Sequence, residues 1–346
     1  HRALILGAIS SGKVRILNFP FNEDLLSTVH SLKKLGVKII LNRRKKEAIV
    51  FGVGVHGLQK PRNGVMIDES GTTFRLLLGL LSGQSFDSVL RAGKSLSKRP
   101  MARVIEPLRM MGASLEGVKR ISGRRKEEYP PVFIKKSNLK GIYYRLPVAS
   151  AQVKSALLLA TLYAVGKTVI NEPVITRDHT ERMLEEFQIK VLRKKNLWIL
   201  TGGQEPVSPG IVYTPGDISS AAFFIIGACI LKGSRITIRK VGLNPTRFGL
   251  INVLKRMGAN IILKPYLSRR RGYEPIGDIV VTGSELKGVK VGRKEIPTLI
   301  DELPALMVAA SFAKGLSIFE GVEELKVKET DRINSMSSNL NRMGAA

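Results

Sequence analysis

Acidic and basic side chains stand together in two short phrases of the C-terminal part of the sequence. Glu329 lies between Lys328 and Arg332, and Asp301 is followed by Glu302 just before an apolar segment. A carboxylate among cations can have a pKa that suits proton transfer. Two other interpretations need no catalysis: an i to i+3 surface pair between Glu329 and Arg332, and helix capping by Asp301.

Further basic residues lie in or beside short polar phrases that precede apolar segments. Ser, Thr, Asp and Gly in these phrases are the residue types that satisfy free N–H groups at a helix start. Helix capping or solvent exposure is enough to explain the residues of any single phrase, with no functional role. Taken together, helix starts that point the same way would gather partial positive charge and predict a site for anions. The phrases are His1-Arg2, Glu69–Arg75, Ser150–Lys154, Gly216–Ser220 and Asp301-Glu302, with Lys98–Met101 and Arg177 as further basic candidates.

The segments that follow these phrases are predicted to be helices. They are rich in Ala, Leu and Ile on nearly every face, so we expect them to be buried on all sides. Such helices can offer chemistry mainly at their ends. The predicted helices cover Ala3–Ile9, Leu76–Leu81, Ala156–Ala164, Ala221–Leu231 and Leu303–Phe312.

A second type of helix ends in a recurring phrase. The phrases LKKLGV, LRMMGA, LEEFQI, LKRMGA and LNRMGA begin at Leu32, Leu108, Leu184, Leu254 and Leu340. In each, two apolar residues face the core, a glycine suits the left-handed position after the last turn, and a strand follows. The near-regular recurrence predicts about five copies of one α/β unit.

Length and composition limit the class of protein. A chain of 346 residues is long enough for about two domains, which we place at 1–214, with three repeats, and 215–346. No apolar run reaches the ~20 residues that a membrane helix needs. The single cysteine, Cys229, excludes an internal disulfide and a cysteine-based zinc cluster, which favours a cytoplasmic location.

The net charge is strongly positive, with 56 Lys and Arg against 28 Asp and Glu, or +28. Such an excess can indicate nucleic acid, an anionic membrane surface or anionic small substrates. The basic runs lie in predicted turns of separate repeats, and aromatic residues make up only 6%. A stacking platform for single-stranded nucleic acid is therefore not predicted, and neither is a membrane partner.

With these phrases in order, the sequence closely resembles the 3-phosphoshikimate 1-carboxyvinyltransferases, also called EPSP synthases. The matching stretches are SGTTFRLLLGLLSG, SLSKRPM, PVASAQVKSALLLA, TRDHTERML, PGDISSAAFF, VGLNPTR, LIDELP and ELKVKETDRI, from Ser70 to Ile333. The resemblance implies two domains of repeated βαβαββ units, each an inside-out α/β barrel. It implies transfer of the enolpyruvyl group of phosphoenolpyruvate to the 5-hydroxyl of shikimate 3-phosphate, in the shikimate pathway of aromatic amino acid biosynthesis, with a monomeric protein and no metal or organic cofactor.

The resemblance also implies roles for individual residues. Those for shikimate 3-phosphate are Arg2, Ser150, the backbone at Ala151, Gln152, Arg177, Asp301 and Lys328, mainly in the first domain. Those for phosphoenolpyruvate are Thr72, Arg99, Gln152 and Arg332. Asp301 would take the proton of the attacking hydroxyl, Glu329 would exchange a proton with the methylene carbon, and Lys328 would be a third catalytic group.

The sequence departs from the family pattern at several points. Glu69 stands where the family usually has asparagine, and its carboxylate should repel phosphoenolpyruvate unless it is paired or protonated. Gly93 and Lys94 replace a common acidic pair. Family phrases that are expected before His1 and after Ala346 are absent, so we expect a sequence truncated at both ends.

Three alternatives remain at this point. A UDP-N-acetylglucosamine enolpyruvyltransferase would typically carry a cysteine before the Arg99-Pro100 phrase, where this sequence has none. An RNA 3′-phosphate cyclase-like enzyme would suit the charge but would not need the SAQ, LIDE and KETDR phrases. An inactive, truncated remnant of the family is the third.

Overall fold

The structure is a computed structural model that describes residues 1–122, 125–267, 272–327 and 330–345. Its α-helices are α1 (Arg2–Ile9), α2 (Glu23–Lys34), α3 (Gly71–Ser82), α4 (Ala102–Met110), α5 (Ala151–Thr161), α6 (His179–Glu186), α7 (Ile218–Ile230), α8 (Gly249–Arg256), α9 (Leu303–Ser311) and α10 (Arg332–Arg342). Short 3₁₀ helices cover Leu96–Lys98, Pro245–Arg247, Ile296–Thr298 and Glu323–Val327.

The β-strands alternate with these helices along the chain. They are β1 (Lys13–Leu17), β2 (Lys38–Asn42), β3 (Glu47–Phe51), β4 (Val65–Ile67), β5 (Ser88–Ala92), β6 (Ser114–Ser122), β7 (Arg125–Lys135), β8 (Tyr143–Arg145), β9 (Lys167–Asn171), β10 (Val191–Lys194), β11 (Leu197–Thr201), β12 (Ile211–Tyr213), β13 (Arg235–Gly242), β14 (Asn260–Pro265), β15 (Ile276–Thr282), β16 (Lys290–Val291) and β17 (Ile318–Phe319).

The chain divides into two compact units. Unit 1 consists of His1–Pro173, Asp178–Thr214 and Arg270–Gly272, and unit 2 consists of Val174–Arg177, Pro215–Arg269 and Tyr273–Ala346. The described residues of each unit pack around a hydrophobic core of their own. The assignment of substrates to the predicted domains 1–214 and 215–346 stays a prediction.

Unit 1 repeats one sheet design in its described residues. The four-stranded sheets have the orders β4-β5-β7-β6, β10-β11-β9-β8 and β12-β1-β3-β2. In each, one parallel pair is continued by antiparallel pairs. A parallel pair needs a crossover, which α3 supplies between β4 and β5 and α5 between β8 and β9. In the third sheet, β12 takes the place of the leading strand, beside β1.

The described residues of unit 2 also contain antiparallel and parallel strand pairs, but in two separate sheets. Strands β13, β15 and β14 form an antiparallel sheet, and β16 pairs with β17 in parallel. Helix α9 supplies the crossover between β16 and β17, as α3 does in unit 1. None of the helices in the described ranges has both the length and the apolar character that crossing a bilayer requires.

The recurring phrases end helices α2, α4, α6, α8 and α10 in one geometry. In every case the N–H three residues after the last helical residue donates to the carbonyl of the leading leucine, at 2.8 to 3.0 Å. Gly36, Gly112, Gly258 and Gly344 hold the left-handed position with φ between 89° and 95°. In the third phrase Gln188 takes this position with φ 64°, so a glycine is preferred there but not required.

The prediction that the apolar helices are buried on all sides is correct for part of the set. Every residue of α1 from Ala3 to Ile9 is buried, and so is nearly all of α3. In α7, however, Phe223 and Phe224 are both 69% exposed, and Phe312 beyond α9 is 64% exposed. The prediction is wrong for these two helices, because the part of the chain that the structure describes does not pack over that face.

Candidate functional site

The starts of α3 and α5 in unit 1 are joined by a glutamine. Its Nε2 donates to Thr72 Oγ1 at 3.1 Å, and its Oε1 accepts from Arg75 Nη1 at 2.7 Å, so Gln152 holds one end of each helix against the other. Ser70 and Ser150 cap these helices by accepting from the N–H of Thr73 and Val153. The caps are neutral, which leaves the partial positive charge of both helix starts in place.

The two helices approach closely because a glycine of α3 faces the backbone of α5. A Cβ at Gly79 would lie 2.1 Å from the carbonyl oxygen of Ala156. Any larger residue at position 79 would therefore separate the helices. The contact fixes how Thr72, about two turns before Gly79, and Gln152, about one turn before Ala156, face each other.

Arg99 lies over the start of α3. A Cβ on Gly71 would lie 2.8 Å from Arg99 Nη1 and 3.1 Å from Arg75 Nη1, so both guanidinium groups lie close to the first residue of the helix. Arg99 follows the 3₁₀ helix Leu96–Lys98, which sets its position. Guanidinium groups beside the N–H groups of a helix start are hydrogen-bond donors that suit phosphate and carboxylate groups.

The carboxylate of Glu69, expected to repel phosphoenolpyruvate unless paired or protonated, has hydrogen-bond partners. Its carboxylate accepts from the backbone N–H of Ser95 at 3.1 Å and of Leu96 at 2.7 Å. A Cβ at Gly93 would lie 2.6 Å from Glu69 Oε1 and 2.4 Å from the carbonyl oxygen of Asp68, so the glycine makes room for the acid. Glu69 therefore binds the loop that leads to Arg99.

Arg2 connects α1 to α5 and α6 in unit 1. Its Nε donates to Thr180 Oγ1 at 2.5 Å and its Nη2 to Ser155 Oγ at 3.2 Å. The two hydroxyl groups also bond to each other at 2.6 Å. These contacts hold the guanidinium at the start of α1, one turn along α5 from Ser150.

Lys154 was a candidate cation for an anion site, and this interpretation is wrong. Its side chain is 0% exposed, and its Nζ lies 2.8 Å from Glu172 and 2.6 Å from Glu181. Glu172 also accepts from the indole N–H of Trp198 at 2.9 Å. Burial raises the pKa of Glu181, although Lys154 acts in the opposite direction. The lysine is thus committed to an internal ion cluster and is not available to a ligand.

Asp301 is the centre of the corresponding cluster in unit 2. Arg177 Nη2 donates to Asp301 Oδ2, and Arg332 Nη1 lies 3.9 Å from Oδ1. Burial alone would lower the pKa of Arg177, but the charge and hydrogen bond of Asp301 raise it overall. Asp301 is 32% exposed at its side chain, so the carboxylate is both paired and accessible.

Comparison with known proteins identifies the family. The family model for EPSP synthase (3-phosphoshikimate 1-carboxyvinyltransferase) matches residues 1–346. The 3-phosphoshikimate 1-carboxyvinyltransferase of Bacillus subtilis (strain 168) is 43% identical over 345 residues, with 100% of this chain and 78% of the relative covered. This chain belongs to the EPSP synthase family. The relative from Bacillus thuringiensis (strain Al Hakam) is 44% identical with the same coverage.

Solved structures confirm the EPSP synthase fold. The chain matches an EPSP synthase from Acinetobacter baumannii with a TM-score of 0.85 and 45% identity, covering 99% of this chain and 76% of that one. The enolpyruvyl transferase NikO from Streptomyces tendae matches with a TM-score of 0.65 at 14% identity, which shows a shared fold alone. The predicted fold class, an α/β enolpyruvyl transferase fold of repeated units, is therefore confirmed.

The EPSP synthase residues predicted from the sequence lie in both units. In unit 1, Gln152 contacts Thr72, and Arg99 lies beside the first residue of α3. Ser150 and Ala151 start α5, and Arg2 contacts that helix at Ser155. In unit 2, Arg177 and Arg332 both lie against Asp301. Lys328 and Glu329 lie outside the described residues. Their roles remain predictions.

Sequence reasoning missed one arginine and understated one acid. Arg247 lies in the VGLNPTR phrase, which served only as a family match, and it binds Glu302 Oε1 at 2.7 Å. Glu302 stands in the Asp301-Glu302 phrase, for which helix capping was one interpretation, yet its side chain makes no cap hydrogen bond to α9. The NPTR and GDISS phrases were the available signals, since both place polar groups before helices.

Proposed function

We propose that the two clusters hold shikimate 3-phosphate and phosphoenolpyruvate for the reaction of the EPSP synthase family. That reaction is the transfer of the enolpyruvyl group of phosphoenolpyruvate to shikimate 3-phosphate, with release of phosphate, in the shikimate pathway. Membership in the family assigns this transferase activity to the chain. The observation that carries the residue assignments is the Arg177–Asp301–Arg332 cluster, because it pairs an accessible carboxylate with two cations.

Shikimate 3-phosphate requires groups for a phosphate and a carboxylate. In unit 1 we assign it to Arg2 and to the start of α5, where Ser150, the N–H of Ala151 and Gln152 lie together. The neutral serine cap supports this role, since it adds no negative charge near the anion. In unit 2 we assign Arg177 and Asp301, with Lys328 as a further candidate.

Phosphoenolpyruvate also carries a phosphate and a carboxylate. We assign Arg99, Thr72 and Gln152 in unit 1 and Arg332 in unit 2. Two arginine forks suit these planar and tetrahedral anions better than point charges would. Glu69 supports the assignment because its carboxylate is engaged by two backbone N–H groups.

The chemistry needs a proton acceptor and a proton donor. Asp301 would accept the proton of the 5-hydroxyl as its oxygen bonds to C2 of phosphoenolpyruvate, while Glu329 would deliver a proton to C3. The product of this addition is a tetrahedral ketal. Elimination then returns the methyl proton to Glu329, and phosphate leaves with the proton that Asp301 had accepted. Lys328 would stabilise the charge on the oxygens.

The remaining elements of the proposal concern partners and location. We propose that the two anionic metabolites are the partners, that no metal or organic cofactor takes part, and that the protein is a cytoplasmic monomer. Nucleic acid and membranes are not proposed partners. The family-model match over residues 1–346 favours the EPSP synthase reaction over the RNA 3′-phosphate cyclase-like alternative.

Phosphate release tests the function directly. The full chain is mixed with both substrates, and inorganic phosphate is followed over time, with each substrate omitted in turn as a control. We expect release only when both are present. Absence of release, together with tight RNA binding at physiological salt, would overturn the proposal in favour of a nucleic-acid enzyme.

A further inference from the structure

Arg247 contacts the starts of two apolar helices of unit 2 from a position just before a third helix. It ends the 3₁₀ helix Pro245–Arg247, which precedes α8. Its Nη2 donates to Ser219 Oγ in the first turn of α7 and to Glu302 Oε1 before α9, and its Nη1 lies 3.4 Å from Asp217 Oδ1. One guanidinium group therefore links α7, α8 and α9.

The acid at the centre of this link is buried. The side chain of Glu302 is 0% exposed and that of Arg247 is 13% exposed. Glu302 Oε1 accepts from both the Ser219 hydroxyl and Arg247. A buried carboxylate is costly unless it is paired and hydrogen-bonded, so removing the arginine would leave Glu302 with an uncompensated charge.

Glu302 is the residue after Asp301, and this adjacency connects the buried pair to the site. The N–H of Glu302 donates to the Leu299 carbonyl at 3.0 Å, and the Glu302 carbonyl accepts from Leu306 in α9 at 2.9 Å. Side chain and backbone of Glu302 are thus both fixed. The peptide bond between Asp301 and Glu302 is therefore fixed as well, and the Asp301 carboxylate accepts from Arg177.

We propose that Arg247 is a positioning residue that acts through Glu302 to orient Asp301. The inference rests on the proposed function in one respect, namely that Asp301 accepts the proton of the attacking hydroxyl. Arg247 itself touches no reacting atom in this scheme. Because misplacement of a catalytic group by about 1 Å can cost about 100-fold in rate, the pair controls turnover from a distance.

Backbone amide exchange and kinetics test the two parts of this inference separately. The variants are Arg247→Met, which removes the guanidinium, and Glu302→Gln, which keeps the shape and the Oε1 acceptor. Arg256→Met serves as the matched control, since Arg256 forms a partly exposed ion pair with Glu295 in the same unit. We expect Arg247→Met to speed amide exchange around residues 299–303 and to lower kcat about 100-fold. Glu302→Gln should lower kcat by about 10-fold, and the control should match the parent chain.

A background substitution separates positioning from a general loss of structure. In chains that already carry Asp301→Asn, adding Arg247→Met should reduce kcat by less than about twofold, because the group that it orients is gone. A further 100-fold loss in that background would overturn the proposal and indicate a structural role.

The exchange measurement also stands apart from the proposed function. If the parent chain released no phosphate, the proposed function would be wrong, and exchange at residues 299–303 would still decide the positioning role. Unchanged exchange in Arg247→Met would overturn that role whatever the activity. Faster exchange at residues 299–303 in Arg247→Met, with exchange in Arg256→Met equal to that of the parent chain, would support the positioning role.

Discussion

The two units differ in the residues that start their apolar helices. In unit 1, α3 and α5 begin with serine caps, and an amide, that of Gln152, joins them. In unit 2, α7 begins with Asp217 as its cap, and α9 follows Glu302, with Arg247 bonded to both acids. One repeated module therefore presents neutral helix starts in the first case and acidic helix starts in the second.

The difference in the starting residues changes the charge at the helix starts, and with it the kind of group that each start can hold. Neutral caps satisfy free N–H groups without cancelling the positive end of the helix, so the start remains suited to anions. Acidic residues at a helix start offset this positive charge. Their carboxylates then need a cation as a partner, and in unit 2 that partner is Arg247. The starts of α3 and α5 in unit 1 thus remain suited to anions, whereas unit 2 holds acids beside arginines, among them Asp301.

Removing the accessible acid of unit 2 should have the largest effect. Asp301→Asn keeps the size of the side chain but cannot accept a proton, so kcat should fall by about 10²- to 10⁴-fold. Glu320→Gln, which neutralises an exposed partner of Lys290, is the control. Steady-state phosphate release measures both. Turnover of Asp301→Asn close to that of the parent would remove Asp301 from the proton-transfer role.

An acidic residue at the start of α5 in unit 1 should remove the difference between the two units and weaken anion binding. Ser150→Asp preserves an N-cap, because Asp and Ser cap equally well, but places a negative charge where shikimate 3-phosphate is proposed to bind. We expect affinity to fall about 10- to 100-fold, measured by calorimetry, with little change in the melting temperature. Ser137→Asp adds the same charge at another serine that accepts a backbone N–H. Equal losses in the two variants would contradict a local effect.

Crowding the neutral start of α3 should have a smaller effect. The methyl group of Gly71→Ala would lie 2.8 Å from Arg99 Nη1, so the guanidinium must move by a few tenths of an ångström. We expect KM for phosphoenolpyruvate to rise by about 10-fold, since arginine forks depend on geometry. Gly227→Ala is the control, because a Cβ there meets nothing within 4 Å in α7. An unchanged KM in Gly71→Ala would remove Arg99 from the phosphoenolpyruvate site.

Exchanging the acidic cap of unit 2 for a neutral one should have the smallest effect. Asp217→Ser replaces one good cap by another and loses a half-exposed contact with Arg247 at 3.4 Å. The free energy of unfolding should change by less than about 1 kcal/mol in chemical denaturation. A loss of several kcal/mol would show that this acid, rather than Glu302, is the main partner of Arg247.

Local rules predicted the repeated parts of the fold well. The five leucine-led phrases all end their helices in the same hydrogen-bonded geometry, because it depends on residues within one turn. They did not require a glycine in every copy, as Gln188 shows. The family phrases led to the fold class, and matches over the whole chain confirm it.

The predicted sites were less complete, since a basic residue near a helix start can face a ligand or the core. Lys154 follows the Ser150 cap as closely as any candidate cation, yet it lies in a buried cluster with Glu172 and Glu181. Glu302 stands in a phrase that suits helix capping, yet it pairs with Arg247, which is far away in sequence. Spacing along a chain does not tell which side of the helix meets which neighbour.

The sequence by itself determined the repeats, the helix ends, the family and the cations and acids available for chemistry, because these depend on residue type and short spacing. Only the tertiary structure decided how those charges are used. It engages Glu69 with two N–H groups, buries Lys154, pairs Asp301 with Arg177 and places Arg247 against Glu302. The physical reason is that the energy of a charge depends on its burial and its partners, and residues distant in sequence supply both.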